Sequence, residues 1–152
     1  MTPPSLAFDH VGIIVDSIED GAADLARVLP LTAWTTVFHD TVLGVSVCFG
    51  RDASGVVYEL IQPLGPDSPV ARAARTKRDR LNQLAYRTAD LASAREHLEA
   101  SGAMVLGEPR PALAFGGAQV QFLFLPQGFI LELIESLDFR HTFVSATPPG
   151  AA

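Results

Sequence analysis

Two stretches of this 152-residue chain repeat each other at one offset: FDHVGIIVDSIED (8–20) lines up with LNQLAYRTADLAS (81–93), and VVYELI (56–61) lines up with FILELI (129–134). A repeat of about 73 residues is too long for a solenoid unit and implies two like half-domains packed about a pseudo-twofold axis. His10 and Glu59 in the first copy fall on Gln83 and Glu132 in the second. A fold with one such pair per copy can bring four ligand-type side chains to a single point.

The local signals give each copy the order βαβββ. In the first, a strand at 8–15 leads through Ser17, an N-cap in the S-x-x-D relation with Asp20, into a helix with apolar Ile18, Ala22, Leu25 and Leu29 at helical spacing. Strands follow at about 33–38, 43–49 and 55–62. The second copy has a strand at 81–88, a helix at 91–101 and strands near 103–107, 118–125 and 128–135, with a Gly-Pro-rich loop at 107–117. The sequence therefore predicts an α+β fold, two tandem βαβββ modules forming curved mixed sheets, eight strands in all, around a central cleft. It reads as one domain: module one about 7–62, a connector about 63–80 with a short helix, module two about 81–135, and a tail 136–152 whose end, SATPPGAA, has the composition of a frayed terminus.

Composition narrows the class. At 48% hydrophobic the chain can bury a substantial core, and it carries no apolar run of membrane-spanning length and no basic, apolar N-terminal signal. A cytoplasmic protein is expected, with no membrane partner, and the lone Cys48 fits a reducing compartment as a small buried residue. A net charge of −6 argues against a nucleic-acid partner. The basic residues Arg72, Arg75, Lys77, Arg78 and Arg80 nonetheless crowd the connector, either as a solvated helix or as a place for a phosphate-bearing cofactor or an acidic carrier protein.

Strand alternation puts Phe8, Gly12 and Ile14 on the face of His10, and sets Glu59 and Glu132 each among apolar neighbours. A carboxylate on an apolar face needs a cation, a metal or hydrogen-bond donors. Arg87 is one such partner by its position on the face of Gln83. Gly12 and Ala85, each two residues past the first polar position, would leave room for a ligand. One imidazole, two carboxylates and one amide can hold a divalent ion such as Ni²⁺, Co²⁺, Zn²⁺, Mn²⁺ or Fe²⁺. His97 in the second helix and His141 beyond the last strand are read as surface residues.

These residues resemble the vicinal oxygen chelate superfamily over about 7–135. The resemblance is greatest to methylmalonyl-CoA epimerase and glyoxalase-like proteins, through DHVGIIV (9–15), YELIQPLGPDSPVA (58–71), LNQLAYRTADL (81–91) and GFILELIE (128–135). It implies metal ligands at His10, Glu59, Gln83 and Glu132, with glutamine where the epimerase pattern has histidine, as in some glyoxalase I enzymes. It also implies an isomerase, epimerase or lyase that removes a proton next to the carbonyl of a small acyl or acyl-thioester substrate, on coenzyme A or a carrier protein. The epimerase pattern has a catalytic glutamate where this chain reads TTVFHDTVLGV (35–45), so the base would be Glu132, or Glu59, or His39 or Asp40 from that hairpin. An extradiol dioxygenase, wanting two histidines and a carboxylate, is disfavoured. The rival reading is a non-catalytic protein that sequesters a small molecule in a groove lined by Trp34, Phe38, Phe49, Phe115, Phe122 and Phe124. Relatives of this kind also imply a homodimer.

Overall fold

A computed structural model of the chain describes residues 2–151. Its strands are β1 (Ala7–Ile14), β2 (Leu31–Trp34), β3 (Phe38–Asp40), β4 (Val45–Asp52), β5 (Val57–Pro63), β6 (Leu81–Thr88), β7 (Met104–Pro111), β8 (Gln119–Phe124) and β9 (Ile130–Glu135). They are joined by the helices α1 (Ile18–Val28), α2 (Ala71–Thr76) and α3 (Leu91–Ala100). Ser17 caps α1 by accepting from Asp20 N at 3.3 Å, and Asp90 caps α3 by accepting from Ser93 N at 3.0 Å. Among the described residues no helix is long and apolar enough to cross a membrane.

The strands form one curved, unclosed mixed sheet in the order β2-β4-β5-β1-β6-β9-β8-β7, with β3 also on β4. The two expected half-sheets are thus fused, because β1 and β6 pair antiparallel at the centre. On either side, β1 runs parallel to β5 and β6 parallel to β9, so the repeat in sequence becomes a repeat in space.

Among the described residues nine strands form where eight were expected. The segment 33–38 breaks into β2 and β3 because Thr35 leaves the regular ladder: its hydroxyl accepts from Phe49 N at 3.0 Å and donates to Thr36 O at 2.8 Å. The strand expected at 103–107 runs on to Pro111 through an irregularity between Leu106 and Arg110, and a 3₁₀ turn (Leu113–Phe115) occupies the predicted loop.

Helices α1 and α3 cover one side of the sheet. From α1, Ile18 and Ala22 pack on Val15, Trp34, Cys48 and Leu60, and from α3, Leu91 and Ala94 pack on Leu123, Leu131 and Leu133. The other side carries a third cluster, including Val47, Phe49, Ile61, Phe115, Val120 and Ile134, and the candidate site opens there. The tail does not fray at its start. Segment 136–145 folds back over the sheet, where Trp34 N donates to Ser145 O and Val144 N to Trp34 O, both at 2.8 Å. Of the expected tail, Ala152 lies outside the described residues.

Candidate functional site

The register explains why four side chains meet. Across β5, β1 and β6 the row reads Glu59, Gly12, Gln83, and across β1, β6 and β9 the adjacent row reads His10, Ala85, Glu132. Each row has a small residue at its centre. The flanking side chains therefore lean inward over Gly12 and Ala85 instead of being held apart by a third side chain. Gly12 is demanding in this respect, since a Cβ built there would lie 2.5 Å from Gln83 Cγ. The room expected beside His10 is filled by Gln83.

All four residues are buried, His10 completely. Gln83 Nε2 donates to Glu132 Oε1 at 2.9 Å and to Glu59 Oε1 at 3.2 Å. His10 Nε2 lies 3.3 Å from each of the same two oxygens, yet is aligned for a hydrogen bond with neither. It is a buried nitrogen set between two carboxylates, within ion-pair distance of both. Burial would push the His10 pKa down, but Glu59, Asp9 and Glu132 together hold it well above the usual imidazole value. Burial and the Glu59 charge raise Glu132, against His10, to about 7.

Behind His10 stands a residue that strand alternation hides. Pairing shifts register between Phe8 and His10, where three residues of β1 span two of β6, so Asp9 is the extra residue of a bulge. Asp9 turns inward: Oδ2 accepts from His10 Nδ1 at 2.7 Å and from His141 Nε2 at 2.8 Å, and Oδ1 lies 3.1 Å from Arg87 Nε. Burial opposes the charge on Asp9, but the hydrogen bonds from His10 and His141 outweigh it and hold the carboxyl well below the usual range. The same bulge turns Phe8 outward, half-exposed against Tyr86, rather than onto the face of His10. Arg87 serves Asp9 and Leu137 O, not the glutamates.

Sequence reasoning overlooked Asp9 and misplaced His141. The His141 side chain is 7% exposed and packs at 4.3 Å between ring centroids on Phe49. The DH dipeptide was the available signal for Asp9. For His141 there was none, because the tail has no counterpart in the repeat.

The site opens into a cavity of about 890 Å³, walled by apolar residues such as Val47, Ile61, Phe115, Val120 and Phe122, with Glu59, Gln83 and Glu132 at its edge. Of the aromatic groove expected, Phe115 and Phe122 line this cavity. Trp34 and Phe49 are core, Phe38 packs against that core, and Phe124 is exposed. Asp40 also borders the cavity, but Oδ1 accepts from Val42 N and Leu43 N at 3.0 and 2.9 Å and Oδ2 from Leu113 N at 2.9 Å. It ties the hairpin to the 3₁₀ turn. His39 does not line the cavity, and its Nδ1 bonds Ser46 Oγ at 2.7 Å. Of the basic connector, Arg72 and Arg78 reach the cavity, joined by Arg110 from β7, which the sequence did not single out. Arg80 is instead bonded to Asp16 at 2.9 Å and to Ala74 O at 2.7 Å.

His10, Glu59 and Glu132 place one ligand atom each within 4.8 Å of one another. A buried imidazole nitrogen, two buried carboxylates and an amide that presents either Nε2 or Oε1 after half a turn make a donor set suited to a divalent cation. Such an ion would satisfy all four at once.

The sequence profile of the glyoxalase/bleomycin resistance protein/dioxygenase superfamily matches residues 9–124. The chain belongs to that superfamily. An ethylmalonyl-CoA/methylmalonyl-CoA epimerase of Cereibacter sphaeroides is 30% identical over 116 residues, covering 76% of this chain and 85% of that protein. Among solved structures, a hypothetical protein from Bacillus halodurans superposes with a TM-score of 0.75 at 26% identity, over 91% of this chain and 99% of that one. Methylmalonyl-CoA epimerase from Mycobacterium tuberculosis does so with a TM-score of 0.68 at 23% identity, over 84% of this chain and 85% of that one, a likeness of fold.

Proposed function

We propose that this protein is a divalent-metal-dependent epimerase of an acyl-CoA thioester, acting by proton removal at the carbon next to the thioester carbonyl. The observation that carries this reading is the convergence of Glu59, Gln83 and Glu132 on one cavity, with the buried His10 Nε2 3.3 Å from an oxygen of each glutamate. The relative at 30% identity, named as an epimerase of ethylmalonyl-CoA and methylmalonyl-CoA, supports the substrate class.

His10, Glu59, Gln83 and Glu132 would hold the ion. When bound, it would supply positive charge to a carbonyl oxygen on which charge develops as the proton leaves. The chain's own residues do the rest. Glu132 is assigned as the base: its carboxylate is desolvated, borders the cavity and sits on β9 next to Ile130, which also lines the wall. Glu59 is its pseudo-twofold counterpart on β5. It faces the site from the other side and is assigned to deliver a proton taken up from solvent to the opposite face of the carbon, while the abstracted proton leaves on Glu132; each carboxylate would have to detach from the ion for its own transfer. Asp40 is assigned to structure, because three backbone N–H groups already occupy its carboxylate.

The apolar wall takes the acyl substituent and keeps bulk water from the reacting carbon. Arg72, Arg78 and Arg110 are assigned to the phosphates of the coenzyme.

The test is solvent exchange. Metal-loaded protein incubated with methylmalonyl-CoA or ethylmalonyl-CoA in D₂O should place deuterium at the α-carbon, and Glu132→Gln should abolish this. No exchange above the uncatalysed rate with either thioester would end the epimerase reading.

A further inference from the structure

We propose that His141, on the C-terminal segment, is a positioning residue for His10 and acts through Asp9. The inference rests on the reading that the His10 cluster holds a divalent cation. The family match ends at residue 124, so His141 lies beyond it.

Asp9 Oδ2 is shared by two imidazoles, His10 Nδ1 at 2.7 Å and His141 Nε2 at 2.8 Å. An ionised carboxylate only accepts, so both nitrogens donate. The consequence for His10 is a fixed ring: Nδ1–H points at Asp9 and Nε2 at Glu59 and Glu132. A ligand imidazole whose far nitrogen is bonded to a carboxylate is oriented and made more basic toward a cation. Asp9 can do this only if it is itself immobile, and its side chain is 3% exposed with Arg87 Nε 3.1 Å from the other oxygen.

The segment carrying His141 is held at several points. Leu137 O accepts from Arg87 Nη1, the Phe143 ring lies 4.4 Å beneath the Arg51 guanidinium, and Ser145 bridges to Trp34. His141 itself packs on Phe49 and on Phe139, at 4.3 and 5.0 Å between centroids, while Phe49 lies 5.3 Å from the ring of His10. Residues 136–145 thus form a strap that closes the back of the His10 site and supplies the second donor to its carboxylate. Arg87 links strap and site, touching both Asp9 and Leu137.

Two substitutions separate the hydrogen bond from the packing. His141→Phe keeps an aromatic ring and removes the donor, whereas His141→Gln keeps a donor at the position of Nε2 and removes the ring. Two readouts are taken on the full chain: the dissociation constant for Co²⁺ by competition with a chelator, and the ¹⁵N imidazole resonances of His10 in the metal-free protein.

His141→Phe should weaken Co²⁺ binding by about 10-fold or more and move the His10 resonances, with His141→Gln restoring most of both. Wild-type affinity and unmoved resonances in His141→Phe would overturn the proposal. So would a loss in His141→Gln equal to or greater than that in His141→Phe, which would mark a packing role. Should His141→Phe not fold, His141→Met, also apolar and without a donor, takes its place. If the wild type binds no Co²⁺, the cation reading falls, and the His10 resonances alone decide the positioning role.

Discussion

Replacing Gly12 by alanine should disable the site without substituting any of its four polar residues. The new Cβ would lie 2.5 Å from Gln83 Cγ, 3.0 Å from Cδ and 3.2 Å from Nε2. Carbon atoms in contact sit about 3.5–4.0 Å apart, so Gln83 must withdraw by about 1 Å or more. Its bonds to Glu132 and Glu59, now 2.9 and 3.2 Å, would then exceed hydrogen-bonding distance. Crowding alone predicts about 1–3 kcal/mol of lost stability, the loss of two hydrogen bonds to buried carboxylates adds to it, and divalent-ion binding weakens as well. Denaturant unfolding of Gly12→Ala, Gln83→Ala and the double variant, all metal-free, measures the effect as a cycle. With Gln83 shortened, the three close contacts are removed, and the added methyl should cost less by about 1 kcal/mol or more than it does in the wild type. Equal costs in the two backgrounds would refute the reasoning, since Gln83 would then not be packed over Gly12.

Glu132 titrates near 7 in the fold against an ordinary value of 4.5, so between these values the folded protein holds a proton that the unfolded chain has lost. Metal-free wild type should therefore lose stability as pH rises through this window, with a limiting slope of about 1.4 kcal/mol per pH unit. Glu132→Gln should gain steadily on it in pH-resolved urea unfolding, and a pH-independent difference would contradict the assignment. Asp40→Asn keeps an oxygen for Val42 N and Leu43 N but sets an amide NH2 against Leu113 N, and should lose about 1–3 kcal/mol of stability while the folded fraction keeps its exchange rate. A large fall in exchange with stability unchanged would instead make Asp40 the base. Arg110→Ala should raise KM for an acyl-CoA and leave kcat near wild type; a kcat effect alone would place Arg110 elsewhere in the reaction.

The internal repeat made the α+β fold and the meeting of four residues legible, because a period that preserves strand order also preserves register. Small residues at 12 and 85 were visible too, but their purpose was inverted: Gly12 makes way for Gln83 rather than for a ligand. Asp9 escaped because a bulge breaks the alternation on which face assignments depend, and Phe8 was misplaced for the same reason. The bend at Thr35 is a side-chain event, invisible to patterns of apolar residues. His141 lies in a strap outside the repeat, joined to Asp9 from 132 positions away. His39 and Asp40 were plausible by position along the chain, and only the hydrogen bonds show what each is attached to.

Equilibrium titration of metal-free protein with Co²⁺ tests the central claim most directly. Saturable binding of one ion per chain is expected, lost in His10→Ala and in Glu132→Ala variants that still fold. Absence of saturable binding by the folded wild type, or undiminished binding by both variants, would contradict it.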